Sequence, residues 1–213
     1  MDLLQPYSSE EKFQDSQGNY CCSRFDVTQF VGVRSVLDVF NAAVLSFDHE
    51  EISLSERLGH ITVRDDYDVE GDNFANCRML SEDENGVKTE MNIVAFGEFV
   101  DASVAPDGQS YAILVRDTVD VDDLYPYNPS EYVRKDHMAV MVLTLAKRKK
   151  EGLAAPGDED ELVVTVRSAV HTKIHRPAFP MPDRTQQGLR RDLTSWLDAM
   201  VASMRSTLSM SVT

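Results

Sequence analysis

Residues 183–208, DRTQQGLRRDLTSWLDAMVASMRSTL, decide the fold that this chain can adopt. Large apolar residues recur there at spacings of three and four, which places them along one side of an α-helix. They are Leu189, Leu193, Trp196, Leu197, Met200, Val201, Met204 and Leu208. Asp183 follows Pro182 as an N-cap residue, and Gln186 stands where a capping box requires it. The pattern predicts one long amphipathic helix, which needs a wide apolar surface to cover it.

That surface is predicted to be a sheet, because most of the preceding chain has the pattern of strands. Residues 24–32 form one candidate strand, and a short helix with an apolar face over 36–47 follows Ser35 and ends in an acidic turn over 48–51. About six strands come next, near 61–63, 74–80, 87–100, 110–118, 138–146 and 162–174, with a long connection over 121–136 before the last two. Turns such as Asn85-Gly86 join consecutive strands, which is typical of an antiparallel sheet. We therefore expect an α+β fold in which a curved antiparallel sheet packs on the long C-terminal helix.

The length of 213 residues, 42% of them hydrophobic, indicates one domain with a proper core. Residues 1–22 are polar and show no clear apolar period. They are predicted to form a flexible N-terminal arm that precedes a domain over 23–213.

Charge excludes some classes of partner. The chain has 21 basic and 36 acidic residues, a formal net charge of −15, which argues against nucleic acid and against steady adsorption to anionic membranes. The run Lys147-Arg148-Lys149-Lys150 leaves a transient membrane contact open. Cys21, Cys22 and Cys77 do not form a disulfide framework by count or spacing. With no signal-peptide or membrane-span pattern, we expect a cytoplasmic protein.

Neither a metal site nor a catalytic motif is predicted. The loop over 66–72 resembles the start of a calcium-binding EF-hand loop, but Cys77 occupies the position of the bidentate glutamate. His171 and His175 are four residues apart on a predicted strand, which separates them by about 13 Å. The glycine and serine patterns of nucleotide-binding and hydrolase sites are absent. We expect no cofactor, no catalytic residues and no enzymatic activity.

The inward faces of the predicted elements carry a surplus of large apolar side chains, several of them methionines that adapt to loosely specified ligands. A ligand cavity between sheet and helix would be lined by Met91, Ile93, Ile113, Met141, Leu143, Val166, Val170, Trp196 and Met200. A well-packed core accounts for the same residues. Arg116 is the single cation of an otherwise apolar stretch, suited to a phosphate or carboxylate headgroup or to an ion pair with Asp117 or another neighbour.

The chain resembles the START-like lipid-binding domains, which have the helix-grip fold, and in particular their divergent oomycete group. Four segments carry the resemblance: GVRSVLDVFNAAVLSF (32–47), EEISLSERLGHITVRDD (50–66), DDLYPYNPSEYVRKD (122–136) and HTKIHRPAFPMP (171–182). It extends from about Phe30 to Leu208. The resemblance implies a curved sheet that grips the C-terminal helix around an apolar cavity holding one lipid or sterol. The cysteine clusters of the FYVE-type zinc finger that often accompanies this group are absent.

Together these observations predict non-enzymatic binding or transfer of a hydrophobic ligand, a lipid or sterol. The alternative is a protein-interaction module with a filled core, whose acidic surface attracts a basic partner. A hydrolase or cyclase on the same scaffold has only the analogy of fold in its favour.

Overall fold

The computed structural model describes residues 5–59, 61–67, 74–148, 161–191, 193 and 195–210. Within them the chain forms one sheet and four helices. The strands are β1 (Tyr7–Gln14), β2 (Tyr20–Val31), β3 (Ile61–Asp66), β4 (Phe74–Glu82), β5 (Lys88–Val100), β6 (Tyr111–Thr118), β7 (Tyr132–Arg148) and β8 (Glu161–Ile174). The helices are α1 (Val36–Asp48), α2 (Glu50–Leu58), α3 (Asp183–Arg191) and α4 (Ser195–Met210).

The strands lie in the order β1-β2-β8-β7-β6-β5-β4-β3, and all neighbours in this order are antiparallel. The first residues of β7 also pair in parallel with the start of β5, from Lys88 with Tyr132 to Glu90 with Arg134. The chain thus runs through two strands, two helices and six strands before its last helices. The predicted strands from β2 to β8 are all present, within a few residues of their expected bounds.

Helices α1 and α2 follow β2 and pack with the C-terminal helices on one face of the sheet. Ser35 caps α1 as predicted, since its hydroxyl accepts a hydrogen bond from the Asp38 amide at 3.1 Å. Phe40 of α1 lies over β5 at Gly97, where a β-carbon would come within 3.4 Å of the Phe40 ring. The acidic segment after α1 was predicted to be a turn and instead begins α2, which ends at Gly59 with φ of 68°.

The C-terminal helix is interrupted, contrary to the prediction of one long helix. Helix α3 ends at Arg191 and α4 begins at Ser195, and Leu193 lies buried between them. The predicted apolar side is nevertheless the side that packs: Trp196, Leu197, Met200 and Met204 are all buried in α4.

The core lies between the inner face of the sheet and helices α1, α2 and α4. One cluster joins Phe30 of β2, Val39 of α1, Met141 of β7, Val166 of β8 and Met200 of α4. A second, smaller cluster lies below α3 and includes Ile174, Leu189 and Leu193. A sheet that clasps a C-terminal helix in this way is the helix-grip fold, so the predicted fold class is confirmed.

The prediction of a loose arm over 1–22 is wrong for most of its described residues. Strand β1 pairs with β2 from Tyr7 with Val27 to Gln14 with Tyr20. Backbone hydrogen bonds to a neighbouring strand stabilise this polar segment, so it needs no apolar period of its own. Cys21 and Cys22 are buried in β2.

The outer face of the sheet carries an unexpected apolar row. In one register line, six neighbouring strands present only apolar side chains, over roughly 24 Å at the usual strand spacing. They are Phe25, Ala169, Val140, Val115, Phe96 and Phe74. Glu11, Asp117 and Glu98 lie in the adjacent lines on the same face. The solvent-facing side of an antiparallel sheet is usually polar, so this apolar row is a candidate contact surface.

Two predictions lie partly or wholly outside the described residues: most of the acidic loop over 66–72, and the side chains of the basic run over 147–150. Among the helices of the described chain, none combines the length and the apolarity that crossing a membrane requires.

Candidate functional site

A buried ion pair stands at the centre of the helix-clasping face. The Arg116 guanidinium Nη1 donates to Glu50 Oε2 at 2.6 Å, and the indole Nε1 of Trp196 donates to Glu50 Oε1 at 2.6 Å. The side chains of Arg116 and Glu50 are 1% and 5% exposed. The two oxygens of the Glu50 carboxylate, in the first turn of α2, therefore contact one other element each: β6 through Arg116 and α4 through Trp196.

Strand alternation explains why Arg116 points inward. It shares the inner face of β6 with Ala112 and Leu114, while Asp117 is exposed on the other face. The expectation of an ion pair is confirmed, but the partner is Glu50, 66 positions away, and not Asp117. The guanidinium also lies over the Trp196 ring, 4.9 Å from its centroid, which adds a cation–π contact.

Several polar atoms near this pair have no hydrogen-bond partner. They are Nε and Nη2 of Arg116, both ring nitrogens of His137, and the hydroxyl oxygen of Thr172. His137 packs edge-on against Trp196, with ring centroids 4.3 Å apart. Buried polar atoms without partners cost about 1–3 kcal/mol each, and proteins retain them mainly where they serve a function.

The environment of His137 keeps its imidazole neutral. Burial, followed by the positive charge of Arg116, holds the pKa of His137 well below its ordinary value. The unfolded chain takes up this proton near pH 6.5, and the folded chain takes it up only at a lower pH.

Acidification is therefore expected to destabilise the protein through His137. Below pH 6.5 the unfolded state binds the extra proton, so the free energy of unfolding falls by up to about 1.4 kcal/mol per pH unit. Urea melts between pH 7 and pH 5 measure this slope. His137→Gln should flatten it, while His49→Gln, at an exposed position, should leave it unchanged. An unchanged slope in His137→Gln would show that this imidazole is not the group responsible.

A small inner cavity of ≈ 50 Å³ adjoins the unpartnered atoms of His137 and Thr172. Its other polar lining residues are Trp196, Thr62, Ser81 and Lys135, and its apolar lining residues are Leu54, Met91, Leu189 and Leu193. Pockets for small molecules usually have about 300–1,000 Å³. In this conformation the inner cavity has room for a few atoms only, and side chains fill the rest of the space between sheet and α4.

A larger pocket of ≈ 520 Å³ opens beside it, and we call it the α3 pocket. It is bounded by the β1–β2 turn, the end of β8, residues 176–182 and α3. Leu189 of α3, only 3% exposed, lines both the α3 pocket and the inner cavity. Leu189 is thus a residue that the two spaces share.

The residues predicted to line a ligand cavity divide into three sets. Met91 and Trp196 line the inner cavity. Six others are buried in the main core cluster, in contact with protein side chains: Ile93, Met141, Leu143, Val166, Val170 and Met200. Ile113 was placed on the wrong face, because the inner side of β6 carries Ala112, Leu114 and Arg116. Both faces of that strand carry apolar residues, so the sequence alone does not show which face points inward.

Sequence reasoning missed Glu50, His137 and Thr172. Residues 121–136 were interpreted as a connection, whereas β7 begins at Tyr132, and extending the alternation back from Met141 places His137 inward. Glu50 was assigned to a turn. No local pattern indicates that its carboxylate meets Arg116 and Trp196.

A second group of charged side chains lies at the ends of β7 and β8, near the α3 pocket. Burial would raise the pKa of Asp136, but hydrogen bonds from His175, Arg134 and Lys173 outweigh it and hold this pKa well below its usual range. His171 bonds Ser23 on β2 instead, at 2.9 Å. Among the described residues no group of three or more potential ligands could hold a metal ion.

No protein-family model and no curated protein sequence matches this chain. Among solved structures it is similar to that of Ara h 8.0201, with 12% identity, 86% of this chain and 99% of that chain covered, and a TM-score of 0.32. It is also similar to the di-domain ARO/CYC BexL from the BE-7585A biosynthetic pathway, with 10% identity, 93% and 79% covered, and a TM-score of 0.31. At such scores neither likeness adds an argument about function, and the fold assignment rests on the topology above.

Proposed function

We propose that this protein binds a hydrophobic ligand with a polar end, a lipid or sterol, without catalysing a reaction on it. The observation that carries the proposal is the set of unpartnered buried atoms on His137 and Thr172, which line the inner cavity. A polar ligand group that hydrogen-bonds to them would satisfy atoms that the protein alone leaves unsatisfied. The resemblance to the START-like domains points to the same class of ligand.

Entry through the α3 pocket fits this arrangement. The inner cavity must widen to admit more than a few atoms, and Leu189 lines both this cavity and the α3 pocket. A shift of α3 that moves Leu189 would join the two spaces. Among the apolar side chains beside this path, Met91 and Met181 are flexible enough to adapt to a ligand.

Catalysis is not part of the proposal, because the buried carboxylate is already engaged. Each oxygen of Glu50 already accepts a hydrogen bond, one from the Arg116 guanidinium and one from the Trp196 indole, so the carboxylate is engaged within the protein. His137 contacts no carboxylate that would orient it as a general base.

Trp196, the only tryptophan, is expected to report binding. It lies at the wall of the inner cavity, so a ligand that replaces water or empty space there should change its emission saturably, near one ligand per chain. A panel of fatty acids, sterols and phospholipids tests this by fluorescence titration. Native mass spectrometry after gentle purification should show a co-purified lipid as added mass.

Leu189→Trp supplies the matched test, with binding followed by calorimetry. The larger side chain at the shared position should weaken ligand binding at least tenfold. Leu208→Trp changes the same residue type at the far end of α4 and should bind as the unmodified chain does. Unchanged Trp196 emission across the whole panel, with no added mass, would refute the proposal.

The alternative of a protein-interaction module is favoured by the filled core and by the apolar row on the outer face. The adjacent register lines carry three carboxylates, Glu11, Asp117 and Glu98, with Arg167 and His171, so an amphipathic segment of net positive charge is the occupant we test. A Lys-rich amphipathic peptide that binds the chain, and loses affinity on Val140→Ser, would select this function if the lipid panel fails.

A further inference from the structure

We propose that the α3 pocket binds the anionic group, a phosphate or carboxylate, of an amphipathic ligand. The inference rests on the function proposed above and specifies the chemistry of the ligand's polar end. The guanidinium groups of Arg176 and Arg190 carry it, since both residues line this pocket.

Arg176 and Arg190 are the two arginines that line the α3 pocket. Carboxylates form ion pairs with several other arginines of the described chain, namely Arg24, Arg34, Arg64, Arg78, Arg116 and Arg134. Within the described residues, no carboxylate forms an ion pair with Arg176 or Arg190. In a chain of net charge −15, two such cations in one pocket form a local site for an anion.

The β1–β2 turn positions Arg176. The Asp15 carboxylate accepts hydrogen bonds from the backbone and side-chain amides of Asn19, at 2.9 and 2.8 Å. Asn19 Oδ1 then accepts from the Arg176 amide at 3.0 Å. The stem of Arg176 crosses Gly18, where an added β-carbon would lie 3.3 Å from its Cδ, and where φ is +85°. The turn thus fixes the backbone and stem of Arg176 and leaves its guanidinium without a counter-ion.

Helix α3 supplies the second cation and the apolar wall. The Arg190 guanidinium lies over the Tyr20 ring, 4.7 Å from its centroid, which holds it at the pocket without neutralising its charge. Phe179, Met181 and Leu189 form the apolar lining nearby. Cations beside an apolar wall match an amphiphile better than a free inorganic anion.

Calorimetric titration with decyl phosphate and decan-1-ol, below their aggregation concentrations, tests the inference. The two probes share one alkyl chain and differ only in the polar end. Decyl phosphate is expected to bind at least tenfold more tightly, and this preference should shrink as salt rises. The double variant Arg176→Gln/Arg190→Gln should lose the preference and bind both probes alike.

The double variant Arg184→Gln/Arg191→Gln is the matched control. It removes the same charge from α3 at two exposed positions that do not line the pocket. It should keep the preference for decyl phosphate. Equal losses in both double variants would overturn the inference, because general electrostatic attraction would then explain the binding.

Further probes distinguish the sources of the anion. Inorganic phosphate is expected to bind at least tenfold more weakly than decyl phosphate, and equal affinity would overturn the role of the apolar wall. Binding to phosphatidylglycerol vesicles without binding of monomeric decyl phosphate would assign the arginines to a membrane surface and overturn the pocket site.

Trp196 emission separates the two proposals. If both probes change the emission but bind equally well, the ligand function stands and the anion site fails. If decyl phosphate binds through Arg176 and Arg190 without changing the emission, the anion site stands and the inner-cavity function fails.

Discussion

Truncation before Asp183 is expected to abolish cooperative folding. Six large apolar side chains of α3, of α4 and of the residue between them are at most 5% exposed: Leu189, Leu193, Trp196, Leu197, Met200 and Met204. Their burial contributes about 1.5–3 kcal/mol each, a sum comparable with the about 5–15 kcal/mol by which whole domains are stable. The shortened chain should expose the inner sheet face, bind a hydrophobic dye and show no cooperative thermal transition.

Truncation after Leu208 provides the control. It removes Ser209 and Met210, which are exposed, and the residues beyond them. This chain should melt within a few degrees of the unmodified one. If the truncation before Asp183 is soluble and melts cooperatively, the C-terminal helices are not required to complete the core.

The parts of the fold with a strong local pattern could be predicted from the sequence. Strand β8 alternates cleanly, and the spacing in α4 gives its buried side, so both appear where expected. The N-terminal strand could not be found this way, because β1 is exposed along its whole length and is held by backbone pairing with β2. Hydrogen bonds of the backbone leave no mark on side-chain periodicity.

The candidate site was predictable only in its apolar half. The periodicity of the helix and of the strand predicts that Trp196 and Met91 point inward. Glu50, His137 and Thr172 belong to the site only through contacts with residues more than 30 positions away in the sequence. Arg116 was recognisable as an unusual cation in an apolar strand. The identity of its partner depended on how α2 docks, which no short segment determines.

The break between α3 and α4 has a consequence for the site. The residues between Arg191 and Ser195 include Leu193, which lines the inner cavity together with Leu189 and Trp196. Both C-terminal helices and their junction therefore border the inner cavity, while α3 alone borders the outer pocket.

Glu50→Gln is expected to lower the free energy of unfolding by about 3–5 kcal/mol, because it leaves the buried Arg116 charge uncompensated. The amide oxygen can still accept the hydrogen bond from Trp196, while the amide NH2 group then faces Arg116 and cannot accept from it, so the variant removes both the charge and one acceptor. Urea denaturation measures it as a lower midpoint at constant slope. The double variant Glu50→Gln/Arg116→Met removes the stranded cation and should be more stable than Glu50→Gln alone.

The exposed pair of Lys88 with Glu131 provides the matched comparison. Its atoms are 2.9 Å apart, close to the distance of the buried pair, but the side chains are 40% and 46% exposed. Solvent screens such a pair, so Glu131→Gln should leave the urea midpoint nearly unchanged. Equal effects of Glu50→Gln and Glu131→Gln would mean that water reaches Arg116 in the folded protein. The inner cavity would then contain water. That water would hydrogen-bond to the unpartnered atoms of Arg116, and no ligand would be required to satisfy them.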